Sequence, residues 1–250
     1  MDLGSAFLGA RSREHRPRSI FSPALNAVPM FLFAHGAGAD SASAWMRAWA
    51  DRLRTIGEVT VFDYPYRRAG RRAPDRLPIL IAAHTDALRA IREASAGSSR
   101  PIFLIGKSMG SRVGCHVAVE HPDWVNGVIC LGYPLIPAAS RKPTDARPAI
   151  AATSVMRDAV LLALRVPALF VQGTRDKLCP LDKMRDVCAR MQASHELQEI
   201  AGADHSLEVG RKKTDPAAQV DVDQRVLAHI RAFVEMHALR LSGAAVSVDR

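Results

Sequence analysis

Residues 106–110 read Gly106-Lys107-Ser108-Met109-Gly110, which places a serine between two glycines at the G-x-S-x-G spacing of a nucleophile elbow. A serine on so sharp a turn has strained backbone dihedrals, and the small residues Gly106 and Gly110 prevent clashes with the neighbouring strand and helix. Serine is a weak nucleophile at neutral pH. It needs a general base, and that base needs a carboxylate to orient it. In the chain order serine, acid, histidine, the candidates are Asp176, in Gly173-Thr174-Arg175-Asp176, and His205, in Gly202-Ala203-Asp204-His205. Asp182 and Asp204 are the substitutes for the acid. His84, His116, His121 and His195 are weaker candidates for the base, because they fall within or just beyond helices or before the last strand. Acyl transfer through a tetrahedral intermediate also requires donors for the oxyanion. The amide of Met109 is one, and Ala37 or Gly38, in His35-Gly36-Ala37-Gly38, supplies the other. His35 and Gly36 are read as shaping that loop.

One competing chemistry is excluded by a single position. Gly-Lys-Ser also ends a phosphate-binding P-loop, but that motif requires a glycine where this chain has Pro101.

The elements that must position these residues follow from the hydrophobic pattern. Continuous apolar runs at Met30 to Ala34, Val59 to Phe62, Ile102 to Ile105, Gly127 to Leu131, Ala168 to Val171 and Leu197 to Ile200 read as strands covered on both faces. Helical spacing separates them. Trp45, Trp49, Leu53 and Ile56 mark one helix, with Asp40 or Ser41 as its start signal. Leu80 to Ile91, Met109 to Glu120, Met184 to Met191 and Val220 to Leu241 mark the others, and Gly114 is expected to let its helix pack close to the sheet. Alternating strands and helices predict an α/β fold, a doubly wound and mostly parallel sheet of about six to seven strands. In such a sheet ligands bind beyond the carboxyl ends of the strands, where Ser108, Asp176 and His205 all fall.

The 250 residues, 48% apolar and 24% charged, suit one globular domain over 26–241, with a disordered extension at 1–25 and a frayed tail at 242–250. Four cysteines lie far apart without zinc-site spacing, so neither a metal nor a cofactor is expected, and reduced thiols suit the cytoplasm. The N-terminal stretch is not read as a secretory signal, because Pro23, Asn26 and Pro29 interrupt its apolar core. No run approaches the roughly 20 apolar residues that cross a bilayer, so no membrane association is expected. The net charge of +9 comes from widely spread arginines without a nucleic-acid motif, which argues against nucleic acid as the partner.

The segments at 33–39, 106–112, 132–135, 172–176 and 202–207 together resemble the dienelactone-hydrolase-like branch of the α/β-hydrolases. Within it the closest resemblance is to the group holding testis-expressed protein 30 and the third subunit of the non-specific-lethal chromatin complex. The resemblance implies an α/β-hydrolase fold with little or no lid, Ser108, Asp176 and His205 as triad, and an ester or thioester substrate. It also implies an alternative, since the group includes complex subunits: a hydrolase-fold scaffold that works by binding. The segment Ile136 to Arg165 is longer than the group leads one to expect, and a small cap helix is expected around Met156 to Leu164. Arg67, Arg68, Arg71 and Arg72, Arg141 and Lys142, and Arg211 to Lys213 follow strand ends, so a positive field favouring anionic acyl substrates is a further expectation.

Overall fold

A computed structural model describes residues 27–137, 156–210 and 216–238. The expectations for 1–25 and 242–250, and for Arg141, Lys142 and Arg211 to Lys213, lie outside these described residues.

Six strands, β1 (Met30–Ala34), β2 (Glu58–Phe62), β3 (Ile102–Lys107), β4 (Gly127–Leu131), β5 (Ala168–Gly173) and β6 (His195–Ile200), form one sheet in the order β2-β1-β3-β4-β5-β6. Every pairing is parallel. The helices are α1 (Ala44–Leu53), α2 (Pro65–Arg68), α3 (Leu77–Ala94), α4 (Met109–Glu120), α5 (Ala159–Leu162), α6 (Leu181–Arg190) and α7 (Pro216–His237). The strand order reverses between β1 and β3, so the loops leaving these neighbours open a crevice at the carboxyl edge.

Alternation along the strands divides the core in two. Phe31, Phe33, Phe103 and Ile105 pack with Met46 and Leu53 of α1 and Ile230 and Phe233 of α7. Leu32, Leu104, Val128 and Phe170 face the other way, against Leu88 of α3, Val117 of α4 and Val187 of α6. Burying each such side chain contributes roughly 1.5–3 kcal/mol, which makes the sheet a rigid support for its loops.

Two expectations are corrected. Helix α1 begins at Ala44, later than Asp40 or Ser41, because those two are engaged elsewhere: Asp40 with Arg67, and Ser41 with Asp63. Helix α5 does not cap the site, since its Leu161 is fully buried in the core cluster that contains Tyr133 and Cys179.

Candidate active site

Strand β3 runs directly into α4, and the junction is Ser108, with φ 51° and ψ −113°. Positive φ at a residue bearing a Cβ costs on the order of 1–3 kcal/mol and persists only where its surroundings enforce it. Here two close approaches enforce it. A Cβ on Gly106 would stand 2.3 Å from Gly110 C and Ser111 N, and one on Gly110 would stand 2.4 Å from the Ala34 carbonyl oxygen. Gly114 has no such need, because a Cβ there would meet His84 Cε1 at an ordinary 3.6 Å. The expectation that Gly114 permits a close approach is therefore corrected to Gly106 and Gly110.

Asp176 and His205 come from the loops after β5 and β6. Asp176 is 4% exposed. Its Oδ1 accepts the Leu178 N–H at 2.8 Å, while Oδ2 lies 2.7 Å from His205 Nδ1. A carboxylate at that distance holds the proton on Nδ1 and leaves the lone pair of Nε2 free. That lone pair faces Ser108 Oγ at 2.8 Å, so the hydroxyl donates to the ring. The three side chains predicted to act together are thus brought into one hydrogen-bonded line. The substitutes are not: Asp204 Oδ1 accepts the amides of Ser206 (2.8 Å) and Glu208 (3.1 Å) and so braces the histidine loop from within.

Several supporting residues escaped the sequence reading. Lys107 donates to Ser206 Oγ at 2.9 Å and to the His205 carbonyl at 3.3 Å, and its ammonium lies 4.4 Å from the Trp45 ring centroid. Trp45 Nε1 donates to the Ser206 carbonyl at 2.9 Å. Gly132, with φ 67°, lets the chain after β4 press against His205, whose carbonyl oxygen would be 2.6 Å from a Cβ. Only the glycine at a strand end in Gly132-Tyr133-Pro134 offered a sequence signal.

The His35–Gly38 loop abuts the elbow: the Cβ position of Gly36 is 3.5 Å from Ser108 Cβ. His35 is fully buried. Its Nε2 accepts the Tyr64 N–H at 3.3 Å, which leaves Nδ1 to donate to the Gly36 carbonyl at 2.8 Å. Burial holds its pKa below the ordinary value and outweighs the raising influences of the Gly36 carbonyl and of Asp63 at 3.6 Å. Neutral His35 therefore braces a turn. Tyr66 donates to the Ala37 carbonyl at 2.9 Å, and burial pushes its phenol up to about 12, so it remains a donor. Met109 opens α4, where an N–H has no partner within the helix. Gly38 is exposed, and a Cβ there would meet nothing.

Of the basic residues expected to create a positive field, Arg67 pairs with Asp40 at 2.8 Å and Arg71 with Asp75 at 2.7 Å, while Arg68 and Arg72 are exposed. Among the described residues, no group of three His, Cys, Asp or Glu is placed to hold a metal ion. Among them, too, no helix is long and apolar enough to cross a membrane.

A six-stranded parallel sheet wound on both faces, with a strained serine between its third strand and the next helix, defines the α/β-hydrolase fold. The chain belongs to the alpha/beta hydrolase domain family, whose sequence profile matches residues 27–235. Solved structures agree in fold. A dienelactone hydrolase from Anabaena variabilis is 20% identical, with a TM-score of 0.61 over 85% of this chain and 88% of that one. An α/β serine hydrolase homologue from Coxiella burnetii is 14% identical, with a TM-score of 0.60 over 81% and 85%. Est1E from Butyrivibrio proteoclasticus, solved with ferulic acid bound, is 17% identical, with a TM-score of 0.58 over 82% and 90%.

Proposed function

We propose that this protein is a serine hydrolase that cleaves carboxylic esters or thioesters through an acyl-enzyme. The observation that carries this reading is the continuous line from Asp176 through His205 to Ser108, at 2.7 and 2.8 Å, assembled from three separate strand ends. His205 Nε2 takes the Ser108 hydroxyl proton as Oγ attacks the acyl carbon. Asp176 stabilises the imidazolium that forms. The Met109 amide and that of Ala37 or Gly38 receive the negative oxygen. Collapse of the intermediate expels the alkoxide or thiolate, which takes the proton from His205. Water, deprotonated by the same nitrogen, then attacks the acyl-serine, releasing the acid and restoring Ser108. Every proton in this cycle is moved by groups of the chain itself, so the reaction needs no cofactor.

The dienelactone hydrolase and the serine hydrolase homologue among the structural neighbours support this class of reaction, and the motif set supports a place near testis-expressed protein 30 and its relatives. The free, buried thiols of Cys115, Cys130, Cys179 and Cys188 support a reducing compartment, the cytoplasm.

The test is covalent labelling with a fluorophosphonate probe. One label per chain is expected on Ser108 and none on a folded Ser108→Ala variant. Absence of labelling on well-folded wild type would overturn the catalytic reading in favour of a binding scaffold.

A further inference from the structure

The turn that presents His205 contains a strained residue two positions on. Leu207 has φ 61°, a left-handed conformation that a residue with a Cβ keeps only where its surroundings enforce it. Part of the constraint is internal. The Leu207 N–H bonds the Asp204 carbonyl at 3.0 Å, and Asp204 Oδ1 takes the Glu208 N–H at 3.1 Å. The Leu207 side chain is buried in the core layer that holds Leu53 of α1 and Val226 of α7.

The rest of the constraint comes from outside the turn, from Gln219 in the first turn of α7. Gln219 Nε2 donates to the Leu207 carbonyl at 3.0 Å, and Oε1 accepts the Val209 N–H at 2.9 Å. The peptide leaving Leu207 is therefore gripped on both sides, its N–H by Asp204 within the turn and its C=O by Gln219 beyond it. Gln219 Nε2 also donates to Asp223 Oδ1 at 2.8 Å. Two acceptors face the nitrogen and one donor faces the oxygen, so a single orientation of the carboxamide satisfies every partner. Asp223 is buried, and its Oδ2 accepts from Arg52 of α1. Trp45 of the same helix holds the Ser206 carbonyl. The backbone after His205 is thus fastened at Ser206 from α1 and at Leu207 and Val209 from α7, and the Asp223–Arg52 pair ties the two helices together.

We propose that Gln219 is a positioning residue for His205: by bridging Leu207 and Val209 it keeps the turn in the strained form that sets Nε2 against Ser108 Oγ. This rests on the serine-hydrolase reading and extends its machinery to α7, which carries none of the triad. Asp176 orients the ring and Lys107 holds the His205 carbonyl, but neither reaches the peptide after Leu207. Removing the carboxamide leaves a carbonyl and an N–H without partners. Turning them to water relieves both that cost and the strain at Leu207, and the turn that carries His205 shifts with them. A general base displaced by about 1 Å slows the chemistry by about 10²-fold, while substrate binding is spared.

The test uses the full chain carrying Gln219→Met, which keeps the length of the side chain and removes its bonds to the turn, with Val220→Ala, at an exposed neighbouring position, as control. With p-nitrophenyl acetate, Gln219→Met is expected to lower kcat by about 10²-fold with KM within about threefold, and to slow fluorophosphonate labelling of Ser108 to match. Val220→Ala should equal wild type in both. The ¹⁵N shifts of the His205 ring give a readout independent of turnover, and Nε2 should move toward the value of a nitrogen without a donor in Gln219→Met alone. A labelling rate within about threefold of wild type in the folded variant, or a loss confined to KM, would overturn the proposal while leaving Ser108-dependent hydrolysis standing. If wild type neither hydrolyses the ester nor takes the label, the hydrolase reading fails instead, and the ring shifts alone decide the role of Gln219: unchanged in Gln219→Met they refute it, displaced they support it. Should Gln219→Met not fold, Gln219→Glu is read by the same criteria, since it keeps the bond to Val209 but sets an oxygen against the Leu207 carbonyl and the Asp223 carboxylate.

Discussion

At the scale of single residues, the site is a chain of orientations. Asp176 is fixed by the Leu178 amide before it fixes His205, and Lys107, Trp45 and Ser206 hold the loop from which His205 projects. Replacing Asp176 by Asn keeps the size but offers an N–H to Nδ1, which favours the tautomer protonated on Nε2 and removes the acceptor that Ser108 needs. Asp176→Asn is therefore expected to slow fluorophosphonate labelling of Ser108 by about 10³- to 10⁴-fold with the fold intact by circular dichroism; labelling within tenfold of wild type would contradict the role of Asp176. Ser108, Asp176 and His205 were legible in the sequence because the chemistry dictates residue types, their order and their place after apolar runs. The roles of Lys107 and Trp45 were not, and Gly132 showed only as a glycine at a strand end. Their roles arise from distances between loops, as with Trp45 and the Ser206 carbonyl, 161 positions apart in the chain, and no local pattern encodes those.

At the scale of elements, the elbow depends on how closely α4 approaches β1. The Cβ of an alanine at position 110 would fall 2.4 Å from the Ala34 oxygen and 2.8 Å from that of His35. Neither atom can yield without opening the strand end. Gly110→Ala is expected to destabilise the protein by about 2–4 kcal/mol through forced displacement of backbone, at or above the usual cost of overpacking, and to lower Ser108 reactivity with it. Gly114→Ala is the contrasting case: its Cβ finds ordinary contacts, and replacing a mid-helix glycine gains up to about 1 kcal/mol. Urea unfolding of the two variants checks the pair, and equal losses would refute the packing argument. The strands were readable as apolar runs, but the sheet extends further than the runs do. Lys107, Gln172 and His195 all belong to strands, because ladder hydrogen bonds rather than apolarity decide where pairing stops. Helix α2 passed unread, being a single turn of Pro65–Arg68 with no room for a periodic pattern. Helix α5 was sensed near its true position but misassigned to a cap, since an apolar turn is the same in sequence whether it covers a pocket or fills a core.

At the scale of the whole molecule, the reversal of strand order between β1 and β3 brings the His35–Gly38 loop against Ser108, and the next loop over, after β2, supports it. That support includes a buried histidine remote from the proposed chemistry. His84, on α3, is fully buried, its Nδ1 lies 3.1 Å from the Tyr64 hydroxyl and its Nε2 has no hydrogen-bond partner among the described residues. Burial lowers its pKa from 6.5 to about 3. The unfolded chain then binds a proton below pH 6.5 that the folded chain refuses until about pH 3, so stability present above pH 6.5 is lost as the pH falls toward 3. His35 and His116 are shifted in the same direction, also by burial, and add to the trend. For His84 alone the loss between pH 7.5 and pH 5 amounts to about 2 kcal/mol. Urea unfolding of wild type and of His84→Gln at the two pH values isolates that share. The variant starts from a lower stability at pH 7.5, having changed the contact with Tyr64, but its fall toward pH 5 should be smaller than that of wild type by about 2 kcal/mol. An identical fall in both proteins would show that protonation of the unfolded His84 is not what makes this fold acid-sensitive.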